Sequence, residues 1–280
     1  MTSFLFFSKI SENYKFEGDT MKKIVIAGLA LLFAANIFAA GNREQVVIKS
    51  AADLDGKRIG VQQGTTGELY VQENVKNAKL SSFKSGIDAA LDLKNGAIDA
   101  VVLDELPAKE IVSRNDDLMI VTDKFAKEEY AIAVKKDDLE LLNDINTTII
   151  KLKSTGEYKK LVNAFMPSDG KVQIPASENP KSGKILKLGT NATFPPFEYL
   201  EGKDIVGFDI SVGERIAKDK GMQLEVVNMD FDSLIPALSS GAIDFIAAGM
   251  SVTEERKKNV SFSVPYFESE QVIIVRKPKK

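Results

Sequence analysis

A pattern of strand, loop, helix, turn and strand occurs twice along this chain, and no other feature constrains the fold as much. LKNGAID (residues 93–99) aligns with LSSGAID (residues 238–244) without a gap, and an apolar run follows each copy. RIGVQQGTTGE (residues 58–68) likewise resembles KLGTNATFPPFE (residues 187–198). GAID alone could be a common helix stop before a strand. Two matched pairs in the same order favour an internal duplication that produces two similar lobes.

Strands that alternate with helices predict an α/β fold in which each lobe is a mainly parallel sheet flanked by helices. Sheets of this kind bind ligands at the carboxyl ends of their strands. The loops GTTGE (residues 64–68) and GMSVTEER (residues 249–256) lie at such strand ends. We therefore expect both lobes to direct loops into one shared cleft.

Other segments connect the lobes. EEYAIAVKK (residues 128–136) and EQVIIVRK (residues 270–277) are apolar strands bounded by charged residues, and each follows a lobe, which suits strands that cross between lobes. Residues 137–165 have apolar side chains at helical spacing, with Gly156 at a break, and predict two amphipathic helices. Residues 167–184 contain three prolines and two glycines and predict a linker.

The N-terminal region has the three parts of a secretory signal peptide. From Met21, two lysines precede a long apolar run that ends in small residues near Ala39 and Ala40. A transmembrane anchor is the alternative, but the run is shorter than the roughly 20 apolar residues that such a helix needs. We expect residues 1–40 to be an upstream extension and a signal peptide, with Met21 as the true start. Because the chain contains no cysteine to carry a lipid, we expect a freely diffusing periplasmic protein.

The composition excludes several classes of function. The chain contains neither histidine nor cysteine, so it cannot build a Ser/His/Asp or Cys/His triad or a zinc site based on those ligands. Its 37 basic and 40 acidic residues are interspersed and give a formal net charge of -3, which argues against a nucleic-acid-binding surface. We expect no catalytic residues, no metal and no cofactor.

Several motifs in combination resemble one family. TFPPFEY, GFDI, FDSLIPALSSGAIDFIAAGMSVTEER and SVPYF occur in the second half of the chain, and IKSAADLDGKRIGVQQGTT, AIDAVVLDELPA and STGEYKKLVNAF occur in the first half. They resemble the solute-binding proteins of polar amino-acid ABC importers, known as bacterial solute-binding protein family 3. The resemblance covers nearly all of residues 44–277. It implies a two-lobed type II fold that closes about a hinge, acts as a monomer and delivers an amino acid to a membrane permease.

The order of the lobes differs from the order in the family. There, the lobe that begins LKLGTNATFPPFEY comes first and the lobe that begins SAADLDGKRIGVQQGTT follows; here the order is reversed. We therefore predict a circular permutation, with the similar segments EQVVIKS and EQVIIVRK inside what should be one interlobe crossing. The predicted domains are residues 41–130 (the family's second lobe), 131–166 (a crossing strand and the family's C-terminal helices), 167–184 (the linker at the permutation seam) and 185–280 (the family's first lobe).

An amino acid carries a carboxylate and an ammonium group at a fixed separation, so its site needs cationic or N–H donors and a carboxylate. Arg256 lies three residues after Thr253, a plausible helix cap, although an arginine in an EERKK run could simply be solvated. The resemblance implies that Arg256 binds the ligand carboxylate. It also implies that Asp104, which could otherwise be a helix cap, accepts the ammonium. Further binding groups are expected at Thr65 and Thr66 in a loop that opens a helix, at the Gly249 carbonyl and at the Ser251 hydroxyl.

The side-chain pocket should determine specificity. Phe194 and Phe231 match aromatic positions that enclose the ligand side chain in the family, although any one phenylalanine could be a core residue. Asn191 matches a position that is acidic in relatives that bind basic amino acids, and its neutrality weakens the prediction of a basic ligand. With Gln62, it would suit a polar side chain such as that of glutamine, but lysine or arginine could also hydrogen bond here. The sequence leaves the ligand open.

Two rival functions use a similar fold. A periplasmic dehydratase of prephenate or arogenate would use acidic residues in the cleft, and Glu198 and Asp104 are candidates. A ligand-sensing domain of a membrane receptor is the other alternative. The positions expected to bind an ammonium and a carboxylate favour an amino-acid-binding protein that is not an enzyme.

Overall fold

The computed structural model describes residues 47–121 and 123–278, whose strands form two large sheets and one small sheet. The strands of the first sheet are β1 (Arg58–Gln62), β2 (Lys79–Phe83), β3 (Ala100–Asp104), β4 (Leu118–Ile120), β5 (Phe125–Tyr130) and β14 (Phe267–Arg276). Their order is β2-β1-β3-β14-β4, and β5 pairs with β14.

The second sheet repeats this arrangement. Its strands are β6 (Ala133–Lys135), β7 (Ile185–Thr190), β11 (Gln223–Asn228), β12 (Phe245–Ile246) and β13 (Val260–Phe262), in the order β11-β7-β12-β6-β13. The small sheet contains β8 (Thr193–Phe194), β9 (Glu198–Glu201) and β10 (Asp204–Val206). Each large sheet therefore has three adjacent strands from one half of the chain and an inserted strand from the other half.

Helices accompany both sheets. They are α1 (Thr66–Asn74), α2 (Gly86–Lys94), α3 (Glu105–Ser113), α4 (Leu139–Thr155), α5 (Glu157–Phe165), α6 (Phe208–Asp219), α7 (Leu234–Ser240) and α8 (Glu254–Lys257), with short 3-10 turns at Ala51–Leu54 and Phe231–Ser233. The two predicted helices after residue 137 are α4 and α5, and Gly156 separates them in a left-handed conformation that favours glycine. We call the first sheet with α1 to α3 the first lobe and the second sheet with α4 to α8 the second lobe.

The α/β prediction is confirmed, but the sheets are mixed rather than mainly parallel. In the first sheet β1 runs parallel to β2 and β3, whereas β14 runs antiparallel to β3, β4 and β5. In the second sheet β7 runs parallel to β11 and β12, whereas β6 runs antiparallel to β12 and β13. The antiparallel pairs arise because β14 and β6 enter their sheets after crossing from the other lobe.

The crossings lie at short segments between strands. β5 belongs to the first sheet and β6 to the second, so the predicted crossing strand at residues 128–136 is divided at buried Ala131 and Ile132. The second crossing comprises residues 263–266, because β13 belongs to the second sheet and all of β14 to the first. The prediction that residues 270–277 themselves cross between the lobes is therefore wrong, because this strand pairs only within the first sheet. Tyr130, Ile132 and Tyr266 join a buried apolar cluster that includes residues of both lobes. The crossings are therefore part of the continuous core.

The linker is irregular, as predicted, but part of it packs on the second lobe. Arg215 of α6 is buried and donates to Glu157 of α5 and to Glu178 of the linker, each at 3.0 Å. Asn179 exchanges two hydrogen bonds with the main chain of Leu224. This half of the linker is consequently anchored to α5, α6 and β11.

The predicted signal peptide and upstream extension lie outside the described residues. The described chain begins beside the first sheet, where Ile48 packs in one apolar cluster with Val121, Ile273 and Val275. Among residues 47–121 and 123–278, no helix has both the length and the apolar character needed to cross a membrane.

Candidate functional site

One cavity between the lobes brings the predicted binding residues together. It lies where β1, β3, β7 and β12 end, as expected for strands whose carboxyl ends meet, and its empty space of about 290 Å³ includes a part that is open to solvent. The lining residues are Gln62, Thr65, Thr66, Asp104, Asn191, Phe194, Glu198, Phe231, Ala248, Gly249, Ser251 and Arg256. All the binding residues predicted from the sequence are among them. The prediction did not include Ala248 and placed Glu198 only in the rival enzyme.

Arg256 is held as a buried cation at the start of α8. Thr253 caps this helix by accepting a hydrogen bond from the Arg256 N–H at 3.1 Å. The guanidinium donates to the Ser251 carbonyl at 2.7 Å and to the Gly64 carbonyl of the first lobe at 2.9 Å. Only 8% of the residue is exposed, so the alternative of a solvated surface arginine is wrong.

The guanidinium of Arg256 has an aromatic neighbour but no anionic partner. Its central carbon lies 5.3 Å from the centre of the Phe231 ring, within the range of a cation–π interaction. Among the described residues, no carboxylate forms an ion pair with it. Desolvation by burial lowers the pKa of Arg256, and the carboxylates of Glu128 and Asp104 oppose that effect. The positive charge is therefore available to an anion in the cavity.

Asp104 places a carboxyl group in the same cavity from the first lobe. Its Oδ1 accepts hydrogen bonds from the Tyr130 hydroxyl at 2.7 Å and from Gln271 Nε2 at 3.0 Å. The residue precedes α3, but its side chain makes no capping hydrogen bond, so the helix-cap alternative is wrong. Burial, together with the nearby Glu128 carboxyl, raises the pKa of Asp104 to about 8.

Three groups around Asp104 were missed by sequence reasoning. Glu128 accepts from the Ser251 hydroxyl at 2.5 Å and from Gln271 Nε2 at 3.2 Å, so one amide contacts both carboxyl groups. Glu128 and Tyr130 share one face of β5, and Gln271 lies on the adjacent strand β14. The alternation along EEYAIAVKK could have indicated that shared face. The pairing of β5 with β14 could not be read from the sequence.

In the loop before α1, two of the four N–H groups of residues 64–67 are already hydrogen-bonded within the protein. The Gly64 N–H donates to Glu68 Oε2 at 2.7 Å, and the Thr65 N–H donates to the Gln62 carbonyl at 3.4 Å. Among the described residues, no acceptor is bonded to the Thr66 or Gly67 N–H, and both groups belong to the first turn of α1. The anion-binding donors of this loop are thus at the start of the helix rather than along the whole turn.

Gln62 and Asn191 form a polar contact across the cleft. Gln62 Nε2 donates to Asn191 Oδ1 at 3.0 Å, and Asn191 Nδ2 donates to the Met229 carbonyl at 2.8 Å. Gln62 Oε1 is buried without a hydrogen-bond partner among the described residues. An acceptor in that position is costly to bury unless a donor reaches it. Phe194 and Phe231 supply the aromatic surface of the same cavity.

The lobes are closed over the cavity. Arg256 reaches Gly64 and Gln62 reaches Asn191, each across the cleft, and Lys84 of the first lobe pairs with Asp230 of the second lobe at 2.6 Å. The Lys84–Asp230 pair is solvent-exposed and contributes little by itself. The described part of the chain contains no group of His, Cys, Asp or Glu residues that could hold a metal ion.

Comparisons with known proteins agree with this chemistry. Residues 186–280 match the family of bacterial extracellular solute-binding proteins, family 3. The arginine-binding extracellular protein ArtP of Bacillus subtilis is 47% identical over 94 residues, which are 34% of this chain and 37% of that protein. A probable histidine-binding protein of Neisseria gonorrhoeae is 39% identical over 112 residues, 40% of this chain and 41% of that protein.

Two further comparisons show how much of each relative is covered. The L-cystine-binding protein TcyJ of Escherichia coli is 29% identical over 161 residues, 57% of this chain and 58% of that protein. The structure of an ancestral arginine-binding protein bound to arginine shares 53% identity over 30% of this chain and 38% of that chain, with a TM-score of 0.30. The chain thus spans 37% to 58% of the length of these curated relatives. The predicted resemblance to amino-acid-binding proteins is confirmed, and the permuted lobe order stays a prediction.

The raised pKa of Asp104 predicts a stability effect that depends on pH. In the unfolded chain an aspartate ionises near pH 4, whereas Asp104 in the folded protein has a pKa of about 8, so folding loses stability as pH rises between these values. We expect Asp104→Asn to become more stable than the wild type as pH rises from 4 to 8, by up to about 5 kcal/mol. Thermal unfolding at pH 4, 6 and 8 measures this difference. Asp116→Asn, at an exposed aspartate, is the control; a difference that does not change with pH would contradict the prediction.

Proposed function

We propose that this protein is an extracytoplasmic amino-acid-binding protein that closes around its ligand and delivers it to an ABC importer. The observation that carries the proposal is the pair of opposite charges that face one cavity, Arg256 from the second lobe and Asp104 from the first. The matches to arginine-, histidine- and cystine-binding proteins support an amino acid as the ligand.

In this proposal, each end of the amino acid binds both lobes. The α-carboxylate accepts from the Arg256 guanidinium and from the Thr66 and Gly67 N–H groups, and the α-ammonium donates to Asp104 and to the Gly249 carbonyl. Ser251 and Thr65 border these positions. Only the closed arrangement satisfies both ends, so ligand binding shifts the population of conformers toward closure. Closure is then the state that a membrane permease recognises.

The side-chain end of the cavity favours a ligand that carries an N–H donor. Gln62 Oε1 is an acceptor without a partner, and Asn191 presents an uncharged amide beside it. Arginine, histidine, lysine and glutamine carry such donors, whereas purely aliphatic amino acids would leave the acceptor unsatisfied. Phe194 and Phe231 would enclose the aliphatic or aromatic part of that side chain.

We further infer that the order of the lobes is circularly permuted, with the linker at residues 167–184 as the seam and with β14 of the predicted domain 185–280 placed in the sheet of the first lobe. Each large sheet has the same strand order, so the two lobes are equivalent units that could be joined in either order. Ile48 and Val275, near the two ends of the described chain, pack in one apolar cluster, which supports a join at that place.

Removal of either charge should abolish measurable amino-acid binding. A thermal-shift screen of the twenty amino acids, ornithine and cystine identifies the ligand, since a ligand at 100 times its Kd adds about 2.7 kcal/mol of stability. For that ligand, we expect Arg256→Ala and Asp104→Ala to raise Kd by at least about thirtyfold in calorimetric titrations, because each leaves a buried charge unpaired. Arg114→Ala and Asp116→Ala, both at exposed positions, are the matched controls.

Two results would contradict this function. Wild-type affinity in the Arg256 or Asp104 variant would show that these charges do not bind the ligand. If no amino acid shifts the unfolding temperature, consumption of prephenate with release of an aromatic product would favour the dehydratase, and a lack of both would favour a sensing domain.

Amino-acid binding should be coupled to proton release. The Asp104 pKa of about 8 means that the carboxyl is protonated at pH 6 and must ionise to pair with an ammonium. We expect affinity to rise about tenfold per pH unit between pH 5.5 and 7 and to level off above pH 8. Titrations in two buffers of different ionisation enthalpy at pH 6.5 should report release of about one proton. Glu128→Gln should move the plateau to lower pH, and an affinity that does not vary with pH would disprove the coupling.

If the lobes are permuted, the protein should tolerate the opposite order of the two lobes along the chain. A protein in which residues 185–278 are followed by residues 47–184 keeps both lobes and leaves the linker able to reach Arg215. We expect it to fold, to unfold within a few degrees of the original protein, and to bind the same amino acid. Circular dichroism, thermal unfolding and titration measure these properties. A reordered chain that is unfolded would contradict the inference.

A further inference from the structure

Two buried carboxyl groups lie at the cavity, Glu198 in its lining and Asp209 next to it, and neither has a cation as a partner among the described residues. Glu198 of β9 and Asp209 of α6 are both completely buried, and among the described residues no lysine or arginine forms an ion pair with either. Among the described residues, no donor is hydrogen-bonded to either oxygen of Glu198 or to Oδ1 of Asp209. Three unsatisfied oxygens at one place are unusual in a folded protein and require an explanation.

The other oxygen of Asp209 is fully used. Asp209 Oδ2 accepts from the Gly249 N–H at 2.8 Å and from the Tyr266 hydroxyl at 2.6 Å. Gly249 lines the cavity, has a φ of +53° and lies against the Phe194 ring, which a Cβ atom at this residue would approach to 2.6 Å. Asp209 therefore fixes a backbone position that directly borders the cavity.

One proton on Glu198 accounts for two of the three unsatisfied atoms. Two ionised carboxylates in apolar surroundings would repel each other and would lose hydration without compensation. A neutral Glu198 gains an O–H donor, and Asp209 is its neighbour, because the Asp209 N–H donates to the carbonyl of Phe197, the residue before Glu198, at 2.9 Å. The O–H can donate to the otherwise unpartnered Asp209 Oδ1, which removes two of the three unsatisfied atoms.

The direction of the pKa shifts agrees with this arrangement. Burial, followed by the charges of Asp209 and Asp104, raises the pKa of Glu198 well above its usual value. Burial also raises the pKa of Asp209, to about 6, so near neutral pH the pair holds one proton, on Glu198. The titratable or charged groups around the pair are Asp104 and Arg256 in the cavity, Tyr266 on the crossing segment and Tyr158 on α5.

We propose that Glu198 is a positioning residue that acts as a neutral acid: it donates to Asp209, which in turn holds Gly249 and the adjacent wall of the cavity in place for ligand binding. Its effect on binding rests on the proposed function, whereas its protonation does not. A ligand-binding carboxylate would present a negative charge to the ligand, whereas Glu198 in this proposal is neutral and acts through Asp209.

Glu198→Gln is the decisive variant. The glutamine amide keeps a donor for Asp209 Oδ1, so we expect its Kd for the amino acid to stay within about threefold of the wild type. Glu198→Ala removes the donor and should raise Kd about tenfold or more. Glu201→Gln, at an exposed glutamate on the same strand, is the control. If Glu198 instead binds the ligand as a charged carboxylate, Glu198→Gln will lose affinity as severely as Asp104→Ala, and the proposal is wrong.

Two ligand-free measurements test the protonation itself. The free energy of unfolding of the wild type should fall as pH rises above the range in which a glutamate of the unfolded chain ionises, because folded Glu198 keeps its proton. Glu198→Gln lacks this contribution. The unfolding temperature of Glu198→Gln relative to the wild type should therefore increase from pH 5 to pH 9. The infrared difference spectrum of the wild type minus Glu198→Gln at pH 7 should contain a protonated carboxyl band. Absence of that band, or a temperature difference that is constant with pH, would overturn the proposal.

These measurements separate the two proposals. If no amino acid binds the wild type but the carboxyl band and the pH-dependent stability difference are present, the neutral acid stands and the proposed function falls. If an amino acid binds but the band is absent, the proposed function stands and Glu198 does not act as a neutral acid.

Discussion

The site depends on the burial of one guanidinium and one carboxyl group that have no ion-pair partner among the described residues. Arg256 is satisfied only by main-chain carbonyls, one from each lobe, and Asp104 is stabilised by neutral donors and crowded by a second carboxyl group. A buried charge without a counterpart is costly, and Asp104 accordingly keeps its proton in the empty site below about pH 8. A ligand with a positive and a negative end would supply both counterparts at once, so the same unfavourable burial that weakens the empty site would strengthen the filled one.

The topology explains how the charges come to face each other. β1, β3, β7 and β12 end at the cavity, and its lining comes from their last residues and from the segments that follow them, together with Phe231 after β11. Two neighbouring strands add groups around Asp104: β5 of the first lobe carries Glu128, and the inserted strand β14 carries Gln271. Residues that surround one carboxyl group are thus drawn from widely separated parts of the chain.

Sequence reasoning placed the lobes and the directly following loops, because strand ends, helix caps and the repeated GAID segments are local signals. Thr253 as a cap and Gly156 as a helix break belong to this class. It could not provide Glu128, Gln271 or the partner of Glu198, because those depend on which strands pair across the two lobes. The sequence also led to the wrong prediction of mainly parallel sheets, because the direction in which a crossing strand enters its sheet has no local sequence signal.

The exchange of strands between the lobes also bears on how the chain folds. The first sheet is incomplete until residues 267–276 are available, although its other five described strands all lie before residue 131. Pairing over such a long stretch of chain is slow, because distant segments must meet before any stabilising contact forms. The pairing of the first sheet is therefore completed only after nearly the whole described chain has been synthesised, although the three strands β1, β2 and β3 that begin this sheet are made first.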